Sequence, residues 1–247
     1  MKSRRNVLDA NVRTEAEFLA GYDLRKYKQP SVTTDVVALS VQDQPSENVR
    51  RPGGSKVSVL LIKRGGHPFI GQWALPGGFL RENETVEGCA ARELAEETQL
   101  SGQVLLPVGV FSKPGRDPRG WIVSNAYLAI VPKSESAVSG GDDAAEARWF
   151  PIEDVLSGKI KLAFDHLDII TAAIGTLRPV DRTEWAFAFL PPQFTMAELK
   201  TVYDFIDGKA QTAGNFRRRI MPLVEASSEK LRGVGYRPAA LFKRKAN

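Results

Sequence analysis

The sequence contains very little of the side-chain chemistry used by disulfide frameworks and zinc centres. It has a single cysteine, Cys89, and two histidines, His67 and His166, in 247 residues. One cysteine can form neither an intramolecular disulfide nor a cysteine-rich zinc site, and two scattered histidines are too few for a histidine metal cluster. This composition favours a cytoplasmic protein.

Long apolar stretches are also missing. No run reaches the roughly 18 residues that a membrane span requires, and the basic N-terminus is not followed by the apolar core of a secretory signal. Hydrophobic residues make up 43% of the chain and charged residues 26%, as in globular proteins in water. We therefore expect no membrane partner.

Acidic residues become scarce in the last quarter of the chain. From Trp185 to the end there are eleven Lys/Arg and five Asp/Glu, a balance of +6, whereas residues 1–184 hold 23 and 24, a balance of −1. This asymmetry indicates a tail that faces an anionic polymer or surface. The charge alone is equally compatible with a solvated tail that only aids solubility.

The order of predicted elements is that of an α+β protein without the regular alternation of a doubly wound sheet. Periodicity and capping patterns predict helices over 14–22, 85–98, 165–177, 194–208 and 214–224, and strands over 31–41, 57–64, 73–75, 104–111, 121–131 and within 140–156, with a terminal strand or hairpin arm over 236–245. A turn is expected at 76–78. The predicted organisation is an N-terminal helix or arm at 1–28, a first domain at 29–177, a linker at 178–190 and a second domain at 191–247.

One stretch of the first domain has carboxylates at fixed spacings. Gly78 is followed after five residues by Glu84, and after seven more by the run RELAEETQL that begins at Arg92. On a helix turning about 100° per residue, Glu93, Glu96 and Glu97 share one narrow arc. Three carboxylates that close repel one another unless a cation neutralises them. Mg²⁺ (or Mn²⁺) does so and also bridges to substrate phosphates.

This pattern resembles the box of the Nudix hydrolase superfamily at all but one position. The resemblance implies that Glu93, Glu96 and Glu97 are metal ligands, that Glu93, Glu97 and Arg92 serve catalysis, and that bound metals activate a water against a pyrophosphate. Arg92 can hold one carboxylate in a fixed orientation. Gln99 stands where the family has glycine. If the helix ends there with positive φ, a non-glycine residue costs on the order of 1 kcal/mol.

Further site residues are predicted around this helix. Glu146 is the first candidate for the general base, with Asp142 and Asp143 behind it, although Glu146 reads equally well as an exposed loop charge. The predicted ligand-binding residues are Gly77, Gly78, Phe69, Arg116, Asp117 and Arg119, and an ordinary turn at 116–120 is the alternative for the last three. Trp73 is expected in the core, His166 at a helix start, and Cys89 as a buried apolar residue.

A narrower resemblance covers nearly the whole chain. The segments YDLRKYKQPSVTTDVVAL, HPFIGQWALPGGF, GRDPRGW, LAFDHLDII, FTMAELKTVYDFIDG, NFRRRI and YRPAALF are similar to the NrtR family of bacterial regulators of NAD metabolism. The resemblance implies a Nudix α/β/α sandwich with a mixed sheet, followed by a winged helix-turn-helix domain. It also implies ADP-ribose or a related NAD-derived nucleotide as ligand, and a homodimer on double-stranded operator DNA.

The basic tail fits that role. Three consecutive arginines open a helix suited to phosphate and guanine contacts, and the predicted DNA-binding residues are Asn215, Arg217, Arg218, Arg219, Arg232 and Arg237, with Lys230, Lys243, Arg244 and Lys245 extending the basic surface. Two functions remain open. One is an ADP-ribose-responsive transcriptional regulator, with or without hydrolase activity of its own. The alternative is a magnesium-dependent ADP-ribose or nucleoside-diphosphate-sugar pyrophosphatase whose tail serves dimerisation.

Overall fold

The computed structural model describes residues 11, 13–45, 54–138, 144–177, 182–230 and 239–245, and residues up to Pro30 form a unit of their own. In this unit helix α1 (Glu15–Gly21) begins after a capping box. The Thr14 hydroxyl accepts from the Glu17 N–H, and the Glu17 carboxylate accepts from the Thr14 N–H at 2.8 Å. The predicted N-terminal helix is confirmed, and a 3₁₀ turn at Leu24–Lys26 follows it.

The second unit contains a seven-stranded mixed sheet. Its strands are β1 (Ser31–Asp43), β2 (Ser55–Arg64), β3 (Trp73–Ala74), β4 (Gly77–Phe79), β5 (Leu105–Phe111), β6 (Ile122–Ile130) and β7 (Ala144–Pro151). The order is β3-β2-β1-β6-β5, with β4 paired to β1 and β7 to β2. β1 is central, antiparallel to β2 and parallel to β6. Its run of buried β-branched and aliphatic residues suits a strand covered on both faces.

Helices cover both faces of this sheet. α2 (Val86–Thr98) packs Ala90 and Leu94 against one face of β1 and β2. α3 (Ile152–Leu156) and α4 (His166–Leu177) cover the other face, where Ile169 and Ile170 are fully buried. Neighbouring residues of β1 alternate between the two cores, as the pleat of a strand requires. The predicted α/β/α sandwich is confirmed.

The C-terminal part is a small helix-rich fold with its own three-stranded sheet. It comprises α5 (Arg182–Ala188), β8 (Phe194–Thr195), α6 (Met196–Asp207), α7 (Ala213–Ile220), β9 (Val224–Lys230) and β10 (Ala240–Arg244), with sheet order β8-β10-β9. α6 begins with the predicted capping box at Thr195 and ends at Gly208, whose φ of 66° lies in the left-handed region. Two helices followed by a hairpin of strands are the arrangement of a winged helix.

Three expectations about boundaries need correction. The segment predicted as a linker contains α5, because the apolar residues around Ala186 and Phe189 are buried in the core instead of spanning two domains in water. The expected turn at 76–78 is largely strand β4, because Gly77 and Gly78 pair with β1. α7 ends at Ile220, since a 3₁₀ turn containing Pro222 follows.

The Nudix-like sheet and the C-terminal helices share one continuous apolar core. Buried residues of β1 and β2, of α4, and of α5, α6 and α7 belong to a single cluster. Lys133, in the 3₁₀ turn Lys133–Glu135, adds a polar connection, with Nζ 2.7 Å from Asp43 and 2.5 Å from Glu198. The two parts are therefore packed together as well as linked by chain. Across the described ranges, no helix has the length and apolarity that crossing a bilayer requires.

Candidate functional site

Arg92 organises the acidic face of α2. Its guanidinium donates to Glu84 at 2.7 Å, to Glu93 at 2.6 Å and to Glu96 at 3.0 Å. Hydrogen bonds from Arg92 lower the pKa of Glu84 to about 2. These contacts also raise the pKa of Arg92 above its ordinary value, since the ionised form of each partner stabilises the other. Arg92 thus holds three carboxylates, where the sequence predicted one.

Glu97 lies deeper than its neighbours and is held differently. Its Oε2 accepts the N–H of Gly77 at 2.9 Å, and the residue is 8% exposed. Burial raises the pKa of Glu97 to about 8, although the hydrogen bond from Gly77 acts in the opposite direction. This hydrogen bond joins β4 directly to α2, although the two residues are twenty positions apart in the sequence.

The two glycines of β4 allow this close approach. A Cβ on Gly77 would lie 2.1 Å from the backbone oxygen of Thr34, and one on Gly78 would lie 2.3 Å from Oε1 of Glu93. Backbone cannot move aside at the first position, whereas at the second the carboxylate of Glu93 would be displaced. Glycine at both positions therefore lets β4 lie close to β1 and to the acidic helix α2.

The donor chemistry of this face fits a hard divalent cation, because it consists of carboxylates beside a close backbone. Yet within the described ranges no three His, Cys, Asp or Glu side chains are arranged to hold a metal ion. The reason is that Glu93 and Glu96 both point to Arg92 while Glu97 points to Gly77. A cation at this face would therefore bind the oxygens of Glu93 and Glu96 that Arg92 does not hold.

A cavity of about 860 Å³ opens beside this helix. Its wall includes the start of β1, the end of β2, β4, and the loops at 116–119 and 164–166, and it contains Glu93 and Glu97 from the acidic helix. Such a volume accommodates a nucleotide-sized ligand. The predicted residues Gly77, Gly78, Arg116, Asp117 and Arg119 all line it.

Arg116 is committed to a buried ion-pair network in that wall. Its guanidinium donates to both oxygens of Asp165, at 2.9 and 2.7 Å, and lies 3.4 Å from Asp35. The Arg116 side chain is only 4% exposed. Asp35 also accepts from the Ser124 hydroxyl. Arg116 therefore shapes the cavity, and its charge is already balanced there.

His166 begins α4, as predicted, and its ring extends into the same network. Nδ1 accepts the N–H of Leu75 at 2.8 Å, so the proton of the neutral ring is on Nε2, which lies 3.4 Å from Asp35. Burial lowers the pKa of His166. The ring therefore joins the start of α4 to the loop before β4 as a neutral side chain.

Arg119 and Asp117 form a second pair at the cavity. Arg119 donates to Asp117 at 2.7 Å and lies 4.9 Å from the ring centre of Phe79. The predicted ligand residue Phe69 does not line the cavity, and its ring lies 4.8 Å from that of Phe164. Phe164 lines the cavity itself.

Phe164 and Arg64 are cavity residues that the sequence did not reveal. Arg64 is the last residue of the buried strand β2, and a charged residue at the end of a strand gives no indication of a ligand site. Phe164 has a φ of 54°, which no sequence pattern around it indicates. Both side chains enter the wall because distant segments converge there.

Three other expectations concern single side chains. Glu146 lies on β7, pairs with Arg148 and is not part of the cavity wall, while Asp142 and Asp143 lie outside the described residues. Trp73 packs on Phe150 at 4.6 Å in the core, as expected. Cys89 is fully buried, also as expected.

The basic helix α7 presents its arginines unequally. Asn215, Arg217 and Arg218 are exposed, and within the described ranges no side chain forms an ion pair with Arg218. Arg219 instead lies 4.8 Å from the ring centre of Tyr203 and 3.6 Å from Asp207. The sequence predicted all three arginines as DNA contacts, and all three are exposed, but Arg219 also contacts α6 and Arg217 lies 5.8 Å from the ring centre of Phe242.

The predicted wing is only partly described. Arg232 and Arg237 lie outside the described residues, as does the side chain of Lys230. On β10, Lys243 pairs with Glu225 at 2.9 Å and Arg244 with Glu184. The Lys245 Nζ donates to the Pro222 oxygen at 3.1 Å.

Comparison with known families agrees with this architecture. Residues 48–172 match the NUDIX domain, and residues 186–243 match the NrtR DNA-binding winged helix domain. The ADPR responsive transcriptional repressor NtrR of Acinetobacter baylyi is 32% identical over 240 residues, which is 96% of this chain and 90% of that protein. An ADP-ribose pyrophosphatase of Methanocaldococcus jannaschii is 46% identical over 112 residues, 45% of this chain and 63% of that protein.

Solved structures give the same result. Shewanella oneidensis NrtR matches with a TM-score of 0.63 at 32% identity, over 87% of this chain and 94% of that one. Its complex with a 27mer DNA matches at 0.60 and 30% identity, over 87% and 93%. Its NUDIX domain complexed with ADP ribose matches at 0.56 and 34%, over 67% and 99%. The fold and site thus define a Nudix domain joined to a DNA-binding winged helix. The chain belongs to the NrtR family.

Proposed function

We propose that this protein is a transcriptional regulator of NAD metabolism that binds ADP-ribose or a related nucleotide in the cavity and duplex DNA through α7. The observation that carries the proposal is the continuous apolar core between the cavity-bearing sheet and α6 and α7. A ligand that reshapes the cavity can thereby change how α7 is presented. The relatives support the same assignment, since one is named an ADPR-responsive repressor and another was solved with ADP ribose and with DNA.

Fluorescence anisotropy on duplexes selected by the protein from a random pool tests this proposal. We expect specific binding with a steep salt dependence, and a shift in DNA affinity when ADP-ribose is added. AMP plus ribose 5-phosphate is the matched control for total phosphate and sugar. A protein that retains no duplex in the selection would contradict the assignment.

The protein is further proposed to act as a homodimer in the cytoplasm, where it meets paired half-sites in chromosomal DNA. Helix-turn-helix proteins commonly place two recognition helices one helical turn apart, so the symmetry of the operator mirrors that of the dimer. Light scattering after size-exclusion chromatography tests this. A monomeric mass in both the free and the DNA-bound protein would contradict it.

Pyrophosphohydrolase activity is a second candidate function, favoured by the complete set Arg92, Glu93, Glu96 and Glu97. These three glutamates would hold Mg²⁺ or Mn²⁺, which on binding supplies Lewis-acid activation of a phosphate and of water. Arg92 would hold the carboxylates apart and in position. We expect slow, magnesium-dependent turnover of ADP-ribose that Glu97→Gln abolishes, while Glu87→Gln, on the same helix, keeps it. An absence of turnover over many hours leaves ligand sensing alone.

A further inference from the structure

One carboxylate of α6 is shared between the helices that precede and follow it. Oδ1 of Asp207 accepts a hydrogen bond from Arg182, the first residue of α5, at 2.8 Å. Oδ2 accepts from the Gln211 side chain at 3.0 Å and lies 3.6 Å from Nη1 of Arg219 on α7. The side chain of Asp207 is only 4% exposed. This buried anion is therefore balanced by two arginines, each from a different helix.

Tyr203, one helical turn before Asp207, contacts the same two helices. Its hydroxyl donates to Thr183 of α5 at 3.3 Å, and its ring centre lies 5.5 Å from that of Phe216 on α7. The guanidinium carbon of Arg219 lies 4.8 Å from the ring centre of Tyr203. Tyr203 and Asp207 together therefore hold the guanidinium of Arg219 against α6.

Arg219 nevertheless lies on the part of α7 that is proposed to face DNA. Its side chain is 45% exposed. Asn215 is also exposed and comes four positions earlier, which places the two residues on the same side of the helix. A guanidinium released from α6 would therefore lie close to the other residues that are predicted to contact DNA.

The two arginines differ in how closely they hold Asp207. Arg182 makes a hydrogen bond, whereas the 3.6 Å between Arg219 and the carboxylate is longer than a hydrogen bond between these groups. A buried carboxylate needs a cation beside it, and Arg182 meets that need even if Arg219 leaves. A DNA phosphate offers Arg219 another anion. The contact of Arg219 with Asp207 is therefore one that can be exchanged.

We infer that Asp207 limits the DNA affinity of α7 by retaining Arg219, and that Arg182 on α5 competes with Arg219 for the same carboxylate. Asp207 is a positioning residue, since it acts on DNA only through Arg219. The charge that α7 presents to DNA thus depends on α5, the helix that follows α4 in the chain. This inference rests on the proposed function.

Fluorescence anisotropy with the duplex that the protein selects, repeated over a range of salt concentrations, tests the inference in the full-length protein. Asp207→Asn keeps the size of the side chain and an oxygen that can accept from Gln211, but it removes the charge that retains Arg219. We expect DNA binding to become tighter by about threefold to fivefold. The magnitude of the salt dependence should rise by about 0.9, as for one added phosphate contact.

A second substitution separates this effect from a structural one. In the double variant Asp207→Asn/Arg219→Ala both gains should disappear, because the released guanidinium is absent. A general disturbance of α6 would weaken DNA binding and would not depend on Arg219.

Asp204→Asn is the matched control, because it removes the same charge from the same helix. Among the described residues, the carboxylate of Asp204 accepts from Lys200 and from the Gln211 N–H, and its partners do not include a side chain of α7. We expect its DNA affinity and salt dependence to stay near those of the parent. An equal gain in Asp204→Asn and Asp207→Asn would overturn the inference, since net charge alone would then account for it.

Arg182→Met leaves Asp207 in place and tests the competition from the other side. Without Arg182, the carboxylate should hold Arg219 more firmly, so we expect a DNA affinity at or below that of the parent. A higher affinity in Arg182→Met would overturn the inference. So would an Asp207→Asn protein that binds DNA like the parent, or a gain that survives Arg219→Ala, and each of these results leaves the proposed function standing. A parent protein that selects no duplex would overturn both.

Discussion

At the scale of single residues, the end of α2 shows how a departure from a family pattern becomes a local cost. Gln99 occupies the position where glycine is expected, and its φ of 65° is the left-handed conformation that the missing glycine would favour. α2 therefore ends in the left-handed conformation that glycine adopts readily, but with a glutamine, which adopts it at a higher free energy. The strain is local, because no proposed ligand lies at this position.

Gln99→Gly should therefore stabilise the protein by about 1 kcal/mol. Gln99 is exposed, so the change removes no buried contact. Urea unfolding of both proteins measures the difference, with Gln103→Gly, just beyond this helix end, as the comparison. A Gln99→Gly protein that unfolds at a lower urea concentration than the parent would show that the left-handed geometry is not kept in solution.

The buried His166 makes the free energy of unfolding decrease as the pH falls. It is buried among Asp35, Asp165, Arg116 and Arg64, and burial lowers its pKa in the folded state. The unfolded chain therefore binds more protons as the pH falls below about 6.5. The contribution of this residue to stability is complete above that pH and is lost progressively as the pH falls towards its folded-state pKa.

We expect the melting temperature of the parent to fall more steeply below pH 6.5 than that of His166→Asn, whose side-chain oxygen can still accept from Leu75. The exposed His67 supplies the control, because its replacement by Asn leaves the buried ring of His166 in place. Parallel profiles in the parent and His166→Asn would contradict the buried, neutral histidine.

Spacing revealed the acidic helix but not the wall of the cavity. Arg92, Glu93 and Glu96 lie within five positions of one another on α2, so helical geometry places them from sequence alone. Arg116 meets Asp165 across 49 positions and Asp35 across 81, and such pairs depend on tertiary packing. For this reason the sequence predicted Arg116 as a free ligand contact and overlooked Arg64 and Phe164.

At the scale of elements, α7 combines two kinds of arginine on one short helix. All three arginines are exposed, but Arg219 also contacts Tyr203 and Asp207 on α6, and Arg217 lies 5.8 Å from the ring centre of Phe242 on β10. Consecutive arginines of α7 therefore have different roles, because Arg218 lies on the surface whereas Arg219 also packs against α6. The division follows from helical geometry, since successive residues point about 100° apart.

Arg218→Ala should weaken DNA binding and reduce the magnitude of its salt dependence by about 0.9 for each phosphate that the variant no longer neutralises. Arg217→Ala should act in the same sense. Arg219→Ala is the matched comparison and should mainly lower the melting temperature. If Arg219→Ala changed the salt dependence as much as Arg218→Ala, the assignment of these side chains would be wrong.

The predicted helices and strands agree best with the structure where the sequence pattern depends on residues close together in the chain. Both capping boxes and the apolar stripe of α2 are confirmed, because each depends on residues three or four apart. β4 and α5 were missed, since a three-residue strand and a helix inside an expected linker form only through packing against β1 and the shared core. Local pattern cannot supply those partners.

At the scale of the whole molecule, Lys133 joins the cavity-bearing sheet to the DNA-binding fold. It pairs with Asp43 at the end of β1, the strand whose beginning lines the cavity, and with Glu198 in the capping box of α6. Its backbone N–H also donates to Phe189 at 3.2 Å. The side chain of Lys133 therefore contacts both the sheet that lines the nucleotide cavity and the fold that contains α7.

Lys133→Met should leave both single affinities near those of the parent and reduce the coupling free energy between ADP-ribose and DNA by about 0.5–2 kcal/mol. Lys56→Met is the control, because Lys56 pairs on the surface with Glu153 of α3, at 2.7 Å, within the Nudix domain. ADP-ribose titrations with and without DNA give the coupling in each protein. Unchanged coupling in Lys133→Met would remove this residue from the response.

We propose that this one chain links a nucleotide site to a DNA site, and linkage makes the proposal quantitative. Two affinities should be measured on one preparation: that for ADP-ribose with and without saturating DNA, and that for DNA with and without saturating ADP-ribose. We predict that both change by the same factor, on the order of 5-fold to 150-fold, because coupling between two binding sites is reciprocal. Two ligands that bind independently of one another, each with a factor of one, would contradict the proposed coupling of the two sites.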